Sequence, residues 1–223
     1  TSHGHKGKID IRGGTLSVAS DSYLGAVPTT LVTDAIMLSG GSLLVTETFV
    51  LNSLRGIVLS GNGAINVASG KNLNYNGTFS GSGNLTKGGA GRLNLLSANT
   101  FSGNTTVSMG RLGLSHNNAL GSGTVNLLNG SGLLFNTGVG AWANDMTITG
   151  TVSLGLDSAS PNTVATTLSG LISGNGSLEV DATDGEILFV GENTFTGGTS
   201  IIGGTVQLGN GGFTGSLGIG NID

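Results

Sequence analysis

The chain has 223 residues, 43 of them Gly, and only 9% are charged, against roughly 25% in an ordinary domain. A formal net charge of −4 excludes the basic stripe that nucleic-acid binding needs, and no apolar run is long enough to span a membrane as a helix. A mean hydropathy of +0.23 is too high for a disordered chain, and the absence of Cys excludes disulfides and thiolate metal sites.

Short runs of alternating apolar and small polar residues follow one another along the chain and predict strands. In chain order they are KIDI, TLSV, IVLSG, AINVA, KNLNYN, RLNLL, RLGLS, TVNLL, MTITG, TVSLG, SLEVD, EILFV and TVQLG. Gly and Asn separate them, as tight turns with positive φ require. The best helix candidate, Thr29–Leu38, carries β-branched residues, so the sequence predicts an all-β fold.

Two motifs repeat along the chain. The segment Ile11–Gly25 aligns without a gap on Val107–Gly121, and its pattern returns from Ile201 onward. Asn99–Gly103 reappears as Asn193–Gly197. A unit of roughly 95 residues with strands about every 8 to 12 residues predicts a right-handed parallel β-helix of roughly eleven coils, each of about 20 residues. A β-sandwich or jelly roll is the alternative.

The repeats also predict the domain organisation and the core. Residues 1–8 are expected to form a flexible leader, and residues 9–223 one β-helix of about two and a half degenerate units. Equivalent inward positions should stack from coil to coil in an aliphatic column. The predicted core residues are Leu85, Leu93, Leu95, Phe101, Val107, Leu112, Leu114, Phe195, Ile201, Val206 and Leu208.

The stretch from Gly81 to Leu112 resembles the autotransporter passenger-associated strand repeat. The matching positions are Gly81, Gly83, Leu85, Lys87, Gly89, Gly91, Leu93, Leu95, Asn99, Thr100, Phe101, Gly103, Thr105, Val107, Gly110 and Leu112. The resemblance is strongest over 54–125 and degenerate over 174–218, where Val180 replaces Lys87. It implies an exported bacterial protein, extracellular or at the cell surface, which is either associated with a Gram-negative outer membrane or secreted.

Three functions follow as hypotheses. The first is a non-enzymatic adhesion or display scaffold that binds host, neighbouring-cell or matrix molecules through a long Ser/Thr/Asn-rich face. The second is a structural subunit that binds copies of itself end to end, because the open ends of a β-helix carry unpaired backbone groups. The third is a polysaccharide-acting enzyme. No cofactor is predicted.

The candidate chemical sites are few. Lys87 stands among glycines, but it lacks the GxxxxGK[ST] pattern and the following helix of a phosphate loop, which favours a repeat corner. His116 is the one His away from the terminus that a catalytic triad could use, and it lies in a predicted exposed turn.

Two metal sites and one binding surface complete the candidates. Asp181, Asp184 and Glu186 are the tightest acidic group and could hold Ca²⁺. Thr1, Ser2 and His3 could hold Cu²⁺ in a square plane if Thr1 is a free terminus. The insertion Thr137–Asp145, which contains Trp142, departs from the repeat and is the predicted exposed binding surface.

Overall fold

A computed structural model describes residues 4–136, 139–157, 165–211 and 214–223, with Asp184 described by its backbone only. Within these ranges the chain is an all-β parallel solenoid, as predicted from the alternating runs. Every strand pair is parallel, for example Leu93 beside Leu112 and Leu112 beside Leu133. The one helical segment of the described residues is the 3₁₀ turn Asp21–Leu24.

The strands form three sheets that run along the solenoid axis. A four-stranded sheet has the order β1 (Ile9–Ile11), β3 (Val32–Leu38), β6 (Arg55–Leu59) and β9 (Phe79–Gly81). An eight-stranded sheet has the order β2 (Thr15–Val18), β4 (Ser42–Val45), β7 (Gly63–Val67), β10 (Leu85–Gly88), β12 (Thr105–Val107), β14 (Val125–Leu127), β17 (Met146–Ile148) and β20 (Ile172–Gly174).

The third sheet has ten strands. Its order is β16 (Ala141–Trp142), β19 (Thr166–Leu168), β21 (Ser177–Phe189), β18 (Thr151–Leu156), β15 (Ser131–Phe135), β13 (Gly110–Leu114), β11 (Arg92–Leu95), β8 (Asn72–Tyr75) and β5 (Phe49–Leu51), with β22 (Thr199–Leu208) beside β21. The alternation of apolar and polar residues matches the two sides of a strand. In β11, for example, Leu93 and Leu95 are buried and Asn94 faces outward.

The solenoid has about eight coils, marked by the eight strands of the second sheet, and not the eleven predicted. Some coils do have 20 residues, as the bond from Asn99 to Ala119 shows. Others are longer because turns are inserted: Thr15 meets Ser42 across 27 residues, a coil that contains the 3₁₀ turn Asp21–Leu24. At about 4.8 Å per rung the rod is about 40 Å long.

The predicted core is confirmed in the first complete repeat and fails at the last strand. Leu85, Leu93, Leu95, Phe101, Val107, Leu112, Leu114 and Phe195 are all buried. Val206 is partly buried, but Ile201 and Leu208 remain 38% and 45% exposed, so their assignment to the core is wrong. They lie in β22, which pairs only with β21 among the described strands, and one side of their column is therefore uncovered.

The two copies of the repeat motif lie on different faces. Leu85 lies in β10 of the eight-stranded sheet, whereas its counterpart Leu178 pairs with Val152 of the ten-stranded sheet. The long strand β21 then passes an irregularity between Ala182 and Glu186, and beyond it Ile187, the counterpart of Leu93, pairs with Thr166 in β19 and not with β18. The second copy is therefore rotated about the axis by one face, because the repeat unit does not contain a whole number of coils.

The predicted leader meets the solenoid before β1 begins at Ile9. The carbonyl of His5 accepts a hydrogen bond from the N–H of Ala26 (2.9 Å), and Lys8 forms an ion pair with Asp34. The boundary at residue 8 and the flexibility of the leader stay predictions.

Buried asparagines tie three successive coils together in both copies of the motif. Asn99 Oδ1 accepts from the Phe79 N–H (2.7 Å) in the coil before, and Asn99 Nδ2 donates to the Ala119 carbonyl (2.6 Å) in the coil after. Asn193 makes the same pair of bonds with Ile172 (2.8 Å) and Ser216 (2.6 Å). The side chain thus satisfies backbone groups where the loop has no strand ladder.

We expect Asn99→Ala to lower the free energy of unfolding by about 2–4 kcal/mol, because it leaves a buried N–H and a buried carbonyl unpaired. Urea unfolding followed by circular dichroism would measure it. Asn62→Ala is the control, since Asn62 is exposed and its side chain, among the described residues, bonds to the exposed Asn84 side chain alone. Equal effects of the two substitutions would contradict the structural role of Asn99.

Candidate functional site

The outer side of the eight-stranded sheet presents an uncharged column of small, mainly polar residues, which we call the polar face. Strand register aligns one residue from each strand. The column consists of Thr15, Ser42, Ala64, Thr86, Thr106, Asn126, Thr147 and Ser173. It is the long Ser/Thr/Asn-rich surface that the composition predicted.

Three hydroxyl groups of the polar face are available to a ligand. Thr86, Thr106 and Thr147 are half-buried at their base, and their hydroxyls make no hydrogen bond to the described residues. Thr15 and Ser42 bond to each other at 2.8 Å. Successive rungs place these groups about 4.8 Å apart, so the surface offers a regular array of weak donors and acceptors.

A polar groove of about 240 Å³ lies beside the insertion and is called here the insertion groove. Its polar lining residues are Asn117, Asn118, Ser122, Thr124, Asn144 and Asp145. The insertion is tied to the coil beneath it, because Asn144 Nδ2 donates to the carbonyls of Gly121 (3.1 Å) and Gly123 (2.8 Å). Asn117 Oδ1 accepts from the Gly140 N–H (3.1 Å).

Trp142 lies beneath the insertion groove and not on its surface. Its side chain is 0% exposed, and its ring contacts Phe135 edge to face with centroids 5.7 Å apart. The prediction that Trp142 is an exposed binding residue is therefore wrong. The ring faces inward because Trp142 pairs in register with the buried Leu168. The insertion nevertheless contributes Ala141, Ala143, Asn144 and Asp145 to the lining of the groove.

Both predicted metal groups lie partly or wholly outside the residues that the structure describes. Among those residues, no three His, Asp or Glu side chains cluster. Asp181 accepts from the Thr183 hydroxyl (2.6 Å), and a bulge separates Ala182 from Glu186. The Asp184 side chain and the residues Thr1, Ser2 and His3 lie outside the described residues, so both metal sites stay predictions.

His116 is exposed, and its Nδ1 accepts a hydrogen bond from the Asn118 N–H (3.0 Å). That bond orders the turn and uses one of the two ring nitrogens. No hydrogen bond joins His116 to a Ser or an Asp among the described residues.

Lys87 is a corner residue whose burial the sequence did not reveal. Its side chain is 0% exposed, and Nζ donates to the carbonyls of Gly88 (2.9 Å), Gly89 (2.8 Å) and Met109 (3.0 Å). Gly89 turns the chain with φ of 72°, a conformation that glycine adopts without strain. The ammonium is engaged by the corner and unavailable to a phosphate, as the missing loop pattern predicted.

Comparison with known proteins supports the class that the fold defines, a parallel β-solenoid built by repetition. The passenger-associated-transport-repeat model matches residues 85–114 and 185–208, so two segments of the chain are similar to that repeat. It is also 36% identical over 124 residues to the adhesin BmaC autotransporter of Brucella suis biovar 1 (strain 1330), a region covering 55% of this chain and 3% of that protein. No solved structure matches the chain.

The described helical structure contains no segment with the length and hydropathy needed to cross a membrane.

We expect the fluorescence of Trp142, the only Trp of the chain, to be blue-shifted and poorly quenched by iodide in the native state, because the indole is buried. Unfolding in urea should shift the emission to longer wavelength and make it accessible to iodide. A native emission already red-shifted and fully quenchable would contradict the buried position.

Lys87 should make stability depend on pH. Burial lowers the pKa of the Lys87 ammonium from 10.5 to about 8, so between these values the unfolded chain holds a proton that the folded chain has released. The free energy of unfolding should then rise with pH, by about 2 kcal/mol from pH 8 to pH 10. Burial also raises the pKa of Tyr75, which opposes stability once unfolded Tyr ionises above about pH 10.

Urea unfolding of wild type and Lys87→Met at pH 8, 9 and 10 would measure this rise. The free energy of unfolding of wild type should increase with pH relative to that of the variant. The variant Lys71→Met removes a lysine from a partly exposed ion pair with Glu47 and controls for the loss of a lysine as such. A difference between wild type and Lys87→Met that is constant with pH would contradict the burial of the ammonium.

Proposed function

We propose that the chain is part of a non-enzymatic passenger that acts outside the cell, at the surface or in secreted form, as an adhesion and display scaffold. The polar face carries this proposal. It runs over eight consecutive rungs without a charged residue, and it offers hydroxyl and amide groups at a regular spacing. Many weak contacts on such a surface add up when both partners are extended.

The similarity to a segment of a protein named an adhesin autotransporter supports the same proposal. The similarity concerns 3% of that protein. The partners we propose are molecules on host cells, neighbouring cells or the extracellular matrix.

The arrangement of the polar face favours binding over catalysis. A hydroxyl nucleophile needs an adjacent base to activate it, and the column around Thr86, Thr106 and Thr147 contains neither a carboxylate nor an imidazole. End-to-end association of the solenoid remains the alternative prediction.

Adherence of beads coated with the purified chain to epithelial cells and to matrix-coated plates would test the proposal. We expect Thr106→Lys/Thr147→Lys to reduce adherence severalfold. The two lysines place ammonium groups on a flat, uncharged contact surface, where they are poorly matched to the partner. The matched control Ser60→Lys/Ser102→Lys adds the same charge at exposed positions away from the polar face and should adhere as wild type does. Equal adherence of all three proteins to every surface, or none by wild type, would contradict the proposal.

A further inference from the structure

Two arginines stand side by side on the outer side of the ten-stranded sheet. Arg92 in β11 pairs in register with Arg111 in β13, so the two side chains leave the sheet about 4.8 Å apart. Arg92 is held through its Nη2, which donates to Asp157 (2.6 Å) and to Asn136 (2.9 Å). Arg111 has no side-chain partner among the described residues.

Glycine in the following coil gives each guanidinium a place to lie flat on the sheet. A Cβ at Gly113 would stand 2.8 Å from Arg92 Nη2, and a Cβ at Gly132 would stand 2.9 Å from Arg111 Nη1. A side chain at Gly132 would also meet Ser153 Oγ at 2.2 Å. The guanidinium of Arg111 is thereby directed over Gly132 toward Ser153.

An open polar pocket lies beside Arg111, where no carboxylate partner among the described residues fills the space. The pocket has a volume of about 130 Å³, and its polar side chains are Arg111, Asn129, Ser131, Thr151, Ser153 and Glu179. Glu179 lies one rung beyond Ser153 and forms no ion pair with Arg111. A half-buried cation and a half-buried carboxylate therefore face the same small space, each without a partner in the described residues.

The remaining groups of the pocket are oriented by their own hydrogen bonds. Asn129 Oδ1 accepts from the Thr151 N–H (2.8 Å), which leaves the Asn129 amide nitrogen to donate. Ser131 is buried, and its Oγ donates to the Leu128 carbonyl (2.6 Å) beneath the pocket. The pocket thus combines the planar guanidinium group of Arg111 with polar groups whose orientation is fixed by other hydrogen bonds.

We propose that this pocket binds an acidic sugar, with the carboxylate of a hexuronate on Arg111 and its ring hydroxyl groups on Asn129, Ser153 and Glu179. The guanidinium matches a planar carboxylate in a bidentate arrangement. Glu179 accepts from a sugar hydroxyl, and it repels a ligand that carries more negative charge than the single carboxylate. A small inorganic or aliphatic anion gains the contact with Arg111 only. The pocket lies apart from the polar face, and ligand binding there does not depend on the adhesion proposed above.

Titration of the ¹⁵N-labelled chain with D-glucuronate, D-glucose and acetate, followed by NMR, would test the proposal. We expect glucuronate to shift the amide signals around Gly130, Thr151 and Glu179, and glucose and acetate each to bind at least roughly tenfold more weakly. Acetate binding as tightly as glucuronate would overturn the proposal, since it would mark a plain anion site. Absence of any shift with glucuronate would overturn it as well.

Substitutions connect the signal to the pocket. Arg111→Met should weaken glucuronate binding at least roughly tenfold, and Glu179→Gln should narrow the preference for glucuronate over acetate. Arg12→Met is the matched control, because Arg12 is an exposed arginine paired with Asp10 at a distant site. The affinity of this variant for glucuronate should equal that of wild type. If Arg111→Met fails to fold, Arg111→Lys retains the charge without the bidentate fork and should still lose affinity. Unchanged affinity in the Arg111 variants would overturn the proposal.

Discussion

The stacking of identical inward positions from coil to coil is the constraint on which the rest of this structure depends. Each coil is too short to bury its apolar residues alone, and it does so only when the next coil lies in register above it. In-register pairs such as Leu93 with Leu112 and Leu112 with Leu133 satisfy the backbone and cover the side chains at once. Where no described strand follows, as at β22, Ile201 and Leu208 remain exposed.

Stacking creates a second requirement at the corners, where the strand ladders end and backbone carbonyls turn inward. The solenoid meets it with polar side chains placed inside the core. Lys87 donates to three carbonyls at one corner, and Asn99 joins the coils before and after it. These residues are polar and buried because they replace missing ladder bonds, and a ligand has no access to them.

The one-face rotation between the two repeat copies shapes what the protein can display. Leu85 and Leu178 are equivalent in sequence but lie on different sheets, so equivalent outward residues also face different directions. A continuous surface such as the polar face is therefore assembled from successive coils and not from equivalent repeat positions. The Arg111 pocket likewise depends on one local combination, an arginine followed by Gly132 and Ser153 in the next two rungs.

The sequence by itself determined the fold class, the repeat and most of the core, because alternation with period two and glycine at corners are local properties. Leu93, Leu95, Leu112 and Leu114 could be placed inside from their own segments. The tertiary structure alone decided the coil number, the burial of Trp142 and Lys87, and the pairing of Arg92 with Asp157 across 65 residues. Each of these depends on which coil lies above which, and inserted turns change that relation without changing the local pattern of the strands.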